Sequence, residues 1–325
     1  MKSMIYLLFL YCMACSQANV EPMPTPVKDL VPPPKRAHHE LVYDEDNQRV
    51  VMAAGSTPLN GGSAYAFFND IWTYDGQQWK QDSIAGDKRS GIRMAYDSKR
   101  HKIYSFGGFS GNSALSDLRV YENGNWTTLT NFPSMKSAEP GFVYDRERDR
   151  LIAFGGLSVG TNVNDATWEW DGTAWNKFPG TGPAGRQAFV MAYDIQRKKT
   201  VLYGGMGAPG QLFDDTWEFD GIQWTKVADQ GPGARFASGF AYDSKRGLLI
   251  LFSGATANGI PGDTWSWDGT EWKKLTETGP SPRLMGYMAY DQHRDKIVLF
   301  GGRPGWPNDV NDTWEWDGAA WTEIK

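Results

Sequence analysis

The chain repeats one short phrase six times, and this repetition constrains its fold more than any other feature. Five copies join an aromatic residue, Asp and Gly to a tryptophan three positions later, and the second, shorter copy has Asn123-Gly124 followed by Trp126. The tryptophans are 47 to 49 residues apart: Trp79, Trp126, Trp175, Trp224, Trp272 and Trp321. A period of this length is typical of propellers and of repeat arrays. The sequence therefore predicts one repeat domain over residues 36–325.

The last copy shows how one repeat predicts four β-strands, which we call A to D. Its apolar segments 284–291 and 296–300 give strands A and B, and the alternating aromatic segment 312–316 gives strand C. Asp317-Gly318 favours a tight hairpin turn into strand D at 321–324. Loops are named below by the strands that they join. In this arrangement the B–C and D–A loops emerge on one face of the domain, and the A–B and C–D turns on the other.

Strand B ends in a small pair in every copy, and the pair precedes the aromatic strand and the tryptophan. The pairs are Ala54-Gly55, Gly107-Gly108, Gly155-Gly156, Gly204-Gly205, Ser253-Gly254 and Gly301-Gly302. This pattern resembles the kelch repeat over residues 36–325, most closely in secreted bacterial kelch proteins. The resemblance implies an all-β fold, a six-bladed β-propeller with four antiparallel strands per blade. Because the last copy contains its own strand D, we expect blades 1 and 6 to close the ring by packing.

Residues 1–15 have the pattern of an export signal. Lys2 precedes an apolar stretch at 5–11 that is too short to span a bilayer. The segment from Cys12 to Cys15 resembles a bacterial lipobox, in which Cys15 would carry the lipid, although such boxes usually have Leu where Cys12 stands. The alternative is plain secretion. We therefore expect an exported protein, anchored as a lipoprotein in the bacterial periplasm, outer membrane or cell surface, or else secreted.

Residues 16–35 contain six prolines, which favour an extended, semi-rigid tether. With a lipid on Cys15, this tether would be the only link between the domain and a membrane. The net charge of −5 disfavours nucleic acid as a partner, since such partners call for a basic face. We expect a monomer.

The sequence lacks the residues that several kinds of metal, cofactor or catalytic site require. Both cysteines lie in the leader, so the domain cannot form the cysteine–tyrosine copper site of galactose oxidase, a protein with a kelch-type domain. The chain has only four histidines; His101 and His293 belong to separate A–B turns, and adjacent His38 and His39 would point to opposite faces of a strand. No phosphate-binding loop or Gly-x-Ser-x-Gly nucleophile motif is present. We predict no metal and no cofactor.

Two series of arginines recur with the repeat. Five stand eight residues before the Asp that ends strand A: Arg36, Arg89, Arg186, Arg235 and Arg283, with Ser137 in the third copy. Their guanidinium groups could form a ring that binds carboxylate or phosphate, or they could hold the loops of the next blade. The second series follows the same Asp by three residues: Arg100, Arg148, Arg197, Arg246 and Arg294. We interpret this series as stabilising the A–B hairpins.

The departures from the repeat point to a site. Around the start of strand A, blades 1–3 carry polar or charged residues where blades 4–6 are mostly apolar: His38, His39, Glu40, Arg93 and Glu139. The B–C loops of blades 1 and 6 contain aromatic residues beside a charge: Tyr65, Phe67, Phe68, Arg303 and Trp306. Aromatic side chains outside the core suit a carbohydrate or peptide site. The alternative is that these loops only pack on themselves.

Three hypotheses follow. The first is a non-catalytic scaffold that binds a glycan or protein through its B–C/D–A face. Its candidate ligand-binding residues are Arg36, His38, Arg89, Arg186, Arg235, Arg283, Tyr65, Phe68, Arg303 and Trp306. The second is a carbohydrate epimerase or mutarotase resembling the sialic-acid mutarotases, with Glu139, Glu40 and Arg93 as candidates for acid–base work. The third is a structural component of the cell envelope.

Overall fold

The chain folds into an all-β, six-bladed propeller with four antiparallel strands per blade, which confirms the predicted fold class. The computed structural model describes residues 32–158 and 163–325. The predicted export signal, Cys15 and residues 16–31 of the predicted tether lie outside the described residues.

The strands follow one another blade by blade, with strand A innermost. Blade 1 contains β1 (Glu40–Asp44), β2 (Arg49–Ala53), β3 (Ser56–Leu59), β4 (Ala64–Tyr74) and β5 (Trp79–Arg89), of which β3 extends the B–C hairpin. Blade 2 contains β6 (Arg93–Asp97), β7 (Lys102–Phe106), β8 (Asp117–Glu122) and β9 (Asn125–Asn131). Blade 3 contains β10 (Gly141–Asp145), β11 (Arg150–Phe154), β12 (Thr167–Trp170) and β13 (Trp175–Lys177).

The second half repeats this order. Blade 4 contains β14 (Val190–Asp194), β15 (Lys199–Tyr203), β16 (Thr216–Phe219) and β17 (Trp224–Ala228). Blade 5 contains the short β18 (Arg235–Phe236), then β19 (Gly239–Asp243), β20 (Leu248–Phe252), the short β21 (Ala255–Thr256), β22 (Thr264–Trp267) and β23 (Trp272–Thr276). Blade 6 contains β24 (Tyr287–Asp291), β25 (Lys296–Gly305), β26 (Asn308–Trp316) and β27 (Trp321–Ile324). Two 3-10 turns, Asn60–Gly62 and Pro133–Met135, lie in loops.

The six inner strands contact one another in a closed circle. The order is β1, β6, β10, β14, β19 and β24, and β24 contacts β1 again. Blade 6 pairs its own β27 with β26, as the sequence predicts. Trp79 of blade 1 packs against Phe300 of blade 6 with ring centroids 5.1 Å apart, so the two ends of the ring meet through side-chain packing.

The strand D tryptophans also make a hydrogen bond to the preceding blade. In four junctions the indole N–H donates to a strand C threonine hydroxyl at 2.8–2.9 Å: Trp79–Thr313, Trp224–Thr167, Trp272–Thr216 and Trp321–Thr264. Blades 1 and 2 have Ile71 and Leu118 at the threonine position. The indole N–H of Trp175, which faces blade 2, accordingly has no hydrogen-bond partner in the described structure.

The chain reaches blade 1 from the B–C side of the ring, next to blade 6. The carbonyl oxygen of Pro33 accepts a hydrogen bond from the side chain of Asn311 at 3.3 Å. The backbone N–H of Arg36 donates to the carbonyl of Val310, also at 3.3 Å. Residues 32–36 therefore lie against the loop end of β26.

Candidate functional site

The arginines predicted to form a ligand-binding ring are buried and paired. Arg36 directs Nη1 and Nη2 at the two carboxylate oxygens of Asp70, each 2.7 Å away, and its guanidinium covers the Phe68 ring at 4.1 Å. The other pairs have shortest distances of 2.6–2.9 Å: Arg89–Asp117, Arg186–Asp215, Arg235–Asp263 and Arg283–Asp312. All five arginines are at most 3% exposed. These side chains and Phe68 are buried, which supports the alternative that the arginines hold the loops and do not bind a ligand.

Blade 3 lacks both the arginine and the aspartate of this ion pair, which indicates that the two residues depend on each other. It carries Ser137 in place of the arginine and Ala166 in place of the aspartate. The Ser137 hydroxyl donates to the carbonyl of Gly155 at 2.9 Å, as Arg186 Nη1 does to Gly204 in blade 4. The joint loss of Arg and Asp is visible in the sequence, and it is the signal that identifies the arginine's partner.

The second arginine series makes the hairpin contacts expected of it. Arg148 Nε lies 2.8 Å from Asp145 Oδ2, and the backbone N–H of Arg148 donates to Asp145 Oδ1 at 3.0 Å. The same i,i+3 ion pair recurs in four further blades: Arg100–Asp97, Arg197–Asp194, Arg246–Asp243 and Arg294–Asp291. The series stabilises the A–B turns.

The B–C loops of blades 1 and 6 meet above the ring junction. Tyr65 and Trp306 have ring centroids 6.0 Å apart, and the Arg303 guanidinium lies 4.9 Å from the Trp306 ring. Arg303 is buried and its Nε lies 2.7 Å from Asp309 Oδ1. Tyr65 is also buried, whereas Trp306 keeps 42% of its surface exposed. The predicted neighbours are therefore together, but most of their surface is used in packing the loops on each other.

The central channel of the ring is a cavity with a volume of about 240 Å³. The inner strands line it from their first residues to the A–B turns. The turn residues in its lining are Glu45, Arg146, Ile195, Ser244 and Gln292, of which all but the exposed Gln292 are half-buried. The channel therefore opens on the A–B/C–D face, opposite to the face predicted to bind ligand.

The other end of the channel is closed by backbone. Six equivalent residues, one per blade, have φ between +51° and +61°: His38, Gly91, Glu139, Ala188, Ala237 and Met285. Backbone hydrogen bonds of 2.7–2.9 Å link four of the neighbouring pairs, His38–Gly91, Gly91–Glu139, Ala188–Ala237 and Ala237–Met285. Apolar side chains including Met206, Phe236 and Leu284 pack around this ring of backbone. The channel is blind.

Three side chains meet at the blind end. Arg93 Nη1 donates to Glu40 Oε2 at 3.1 Å, and Arg93 Nη2 donates to the Tyr287 hydroxyl at 3.0 Å. All three residues line the channel. The side chains of Arg93 and Glu40 are only 10% and 12% exposed. Burial raises the pKa of Glu40 to about 7, although the charge of Arg93 lowers it. The carboxyl group is therefore poised to gain or lose a proton near neutral pH.

A second acidic group lies behind this cluster. Glu139 forms a close hydrogen bond with Nδ1 of His38, and Arg93 is near enough to act on its charge. Burial alone would raise the pKa of Glu139, but His38 and Arg93 lower it. His39 packs edge-on against Tyr287, and burial lowers its pKa well below the usual value. The two histidines precede β1 rather than lying on it, so the expectation that they occupy opposite faces of a strand is wrong.

The structure brings Glu40 and Arg93 into contact and places Glu139 and His38 behind them, whereas Tyr65 and Trp306 lie outside the channel. Within residues 32–158 and 163–325, no three His, Cys, Asp or Glu side chains are arranged to hold a metal ion. No helix in the same ranges has the length and apolar character needed to cross a membrane. Comparison of the chain with protein-family models and with curated proteins gives no match.

Proposed function

We propose that this protein is a non-catalytic binding protein that takes a small polar ligand into its central channel from the A–B turn face. The observation that carries this proposal is the cluster of Glu40, Arg93 and Tyr287 at the blind end. At the equivalent positions the other blades have Gly141, Val190 and Gly239, so the fold does not require charged groups there. Buried ionisable groups that face a cavity and are not needed by the scaffold indicate a binding or active site.

The proposal keeps the kelch-type assignment and an exported, tethered protein, both of which rest on the sequence patterns. It places the ligand in the channel and not on the B–C/D–A face, because the arginines expected to reach a ligand there are paired with aspartates inside the blades. A glycan or protein partner on that face would rely on Trp306, the exposed aromatic residue of the junction.

A second candidate function is acid–base turnover of a sugar. It is favoured by one observation, the pKa of Glu40, which burial raises to about 7. A general acid or base works best when its pKa is near the working pH. Glu139 suits this role less, because its pKa is lowered and His38 holds its carboxylate. Arg93 would then orient the substrate and Glu40 would move the proton.

Saturation-transfer NMR with glucose, galactose, glucuronate and glucosamine tests both functions on the full chain. We expect saturable binding that weakens at least tenfold in Arg93→Leu and is unchanged in Glu323→Gln, a matched surface control on β27. Equal binding by wild type and Arg93→Leu would show that the ligand lies elsewhere. Exchange spectroscopy on the same samples measures anomer interconversion. Acceleration by wild type that is lost in Glu40→Gln would favour the enzyme.

A further inference from the structure

We infer that the ligand of the channel is an uncharged sugar of single-ring size, and not a sugar acid. This inference rests on the proposed function, since it names the ligand class for the same site. Three features carry it: the ion pair that already holds Arg93, the apolar residues that blades 4 and 5 add to the channel lining, and the size of the cavity.

The positive charge at the blind end of the channel is already paired with a carboxyl group. The guanidinium group at the blind end belongs to Arg93, and it donates a hydrogen bond of 3.1 Å to Glu40. The charge of Glu139 also interacts with Arg93. Glu40 is in direct contact with the guanidinium, whereas the Glu139 carboxylate is bonded to His38 and acts on Arg93 only through its charge. A ligand carboxylate would have to displace Glu40 from Arg93 and would leave that buried acid without its partner, which is costly. A ligand ammonium would meet Arg93 beside the same carboxylate.

The second step concerns hydrogen bonding. Glu40, Arg93 and the Tyr287 hydroxyl offer donors and acceptors within one cluster. Neighbouring hydroxyl groups of a sugar can both donate and accept, so they can join this cluster without separating the ion pair. Uncharged hydroxyls also lose less hydration free energy on burial than a carboxylate does.

The third step concerns the remaining lining of the channel. Blades 4 and 5 contribute Phe189, Val190, Met191 and Phe240, and the last two are only half-buried. The charged side chains at the blind end, Glu40 and Arg93, thus belong to blades 1 and 2, whereas blades 4 and 5 add these apolar residues to the lining, beside Ser238. A sugar ring has hydroxyl edges and C–H faces, and an aromatic or aliphatic surface suits the C–H face.

The fourth step concerns size and approach. The volume of about 240 Å³ is below the roughly 300–1,000 Å³ of pockets that take drug-sized ligands, which suits one sugar ring and not a chain of them. At the mouth, Glu45 and Arg146 form an ion pair with each other. Their charges cancel, so the mouth does not concentrate an anion in the way that a charged funnel would.

Titration calorimetry on the full chain tests the inference with matched sugars. The neutral probes are glucose and galactose, the acidic probes are glucuronate and galacturonate, and glucosamine supplies the cation. We expect wild type to bind a neutral sugar at least tenfold more tightly than its uronate. In Glu40→Gln, which releases Arg93 from its carboxylate, we expect the neutral-to-acid ratio to fall at least tenfold. Glu323→Gln should leave the ratio unchanged.

The outcomes test the class of the ligand separately from the existence of a binding site in the channel. Tighter binding of a uronate or of glucosamine by wild type would overturn the inference and leave the channel as a binding site. An unchanged ratio in Glu40→Gln would also overturn it, because Arg93 would then not be the discriminating group. No saturable binding of any probe by wild type would count against the proposed function itself. The wild-type comparison stands on its own if the variant does not fold.

Discussion

The indole N–H of Trp79 in blade 1 lies 2.9 Å from the hydroxyl oxygen of Thr313 in blade 6. This bond joins residues 234 positions apart in the sequence at the point where the ring closes. The same indole-to-threonine bond links blade 6 to blade 5, through Trp321 and Thr264. Among the described residues, the closing junction therefore carries the same indole-to-threonine bond as the junction of blades 5 and 6.

The first prediction concerns this bond. Thr313→Val keeps the side-chain shape but leaves the buried indole N–H of Trp79 without an acceptor, which costs about 1–3 kcal/mol. We expect a loss of that size in the free energy of unfolding, measured by urea denaturation. Thr264→Val should lose a similar amount, and the exposed Thr322→Val should lose almost nothing. A much larger loss for Thr313→Val than for Thr264→Val would show that the seam is the weak point of the ring.

The second prediction concerns the buried arginine–aspartate pairs. Asp215→Ala leaves the guanidinium of Arg186, which is fully buried, without its carboxylate. Breaking a buried ion pair in this way costs about 3–5 kcal/mol. The double variant Arg186→Ser with Asp215→Ala reproduces the natural combination of Ser137 and Ala166 in blade 3. We expect it to be more stable than Asp215→Ala alone in denaturant unfolding. An additive or greater loss would contradict the paired role.

The third prediction concerns Glu40 and pH. Its pKa is raised from 4.5 to about 7 in the folded protein, so the folded state binds more protons than the unfolded state between these values. The contribution of Glu40 to stability therefore falls as the pH rises through this window. Each pKa unit corresponds to about 1.4 kcal/mol, so the difference in unfolding free energy between Glu40→Gln and wild type should shift in favour of the variant by up to about 3 kcal/mol from pH 4.5 to pH 8.

Urea unfolding at several pH values measures this shift. Other titrating groups contribute in both proteins and largely cancel in the difference. Glu323→Gln serves as the surface control for the removal of one carboxyl group. A flat difference for Glu40→Gln would mean that the carboxyl group titrates normally in the folded protein.

The fourth prediction concerns the ion pair at the channel mouth. Glu45 and Arg146 belong to the A–B turns of blades 1 and 3, and their contact reaches past blade 2. Both are partly exposed, so a double-mutant cycle with Glu45→Gln and Arg146→Met should give a coupling of about 0.2–1 kcal/mol that weakens in high salt. The more exposed pair of Glu147 and Lys198 serves as a comparison and should couple less. Zero coupling at low salt would show that Glu45 and Arg146 do not form an ion pair across the channel mouth.

The fold could be predicted because its signals are local and recur six times. The turn glycines such as Gly318 and the tryptophans such as Trp321 each mark a specific position in a blade. The role of Arg186 was harder to predict, since a recurring arginine suits a ligand ring as well as a clamp. Only the joint absence of Arg and Asp in the third copy, at Ser137 and Ala166, distinguishes the two.

The open side of the channel could not be predicted in this way. The closed end depends on left-handed backbone at positions occupied by ordinary side chains, such as Glu139, Ala188 and Met285. Glycine is the usual sequence signal for that conformation, and these residues do not provide it. Glu40 and Arg93 could be singled out because they depart from the repeat, but their contact depends on the radius of the ring.

The chain comes to blade 1 beside Asn311, on the side of the ring where the channel is shut. A bead, a bilayer or a fusion partner that is attached through the N-terminal end is therefore joined to the ring on the face where the channel is closed. The opening lies on the opposite face of the ring from residues 32–36, so a solute can enter the channel without passing these residues. Immobilisation through the N-terminal end is for this reason the suitable geometry for a binding sensor made from this propeller.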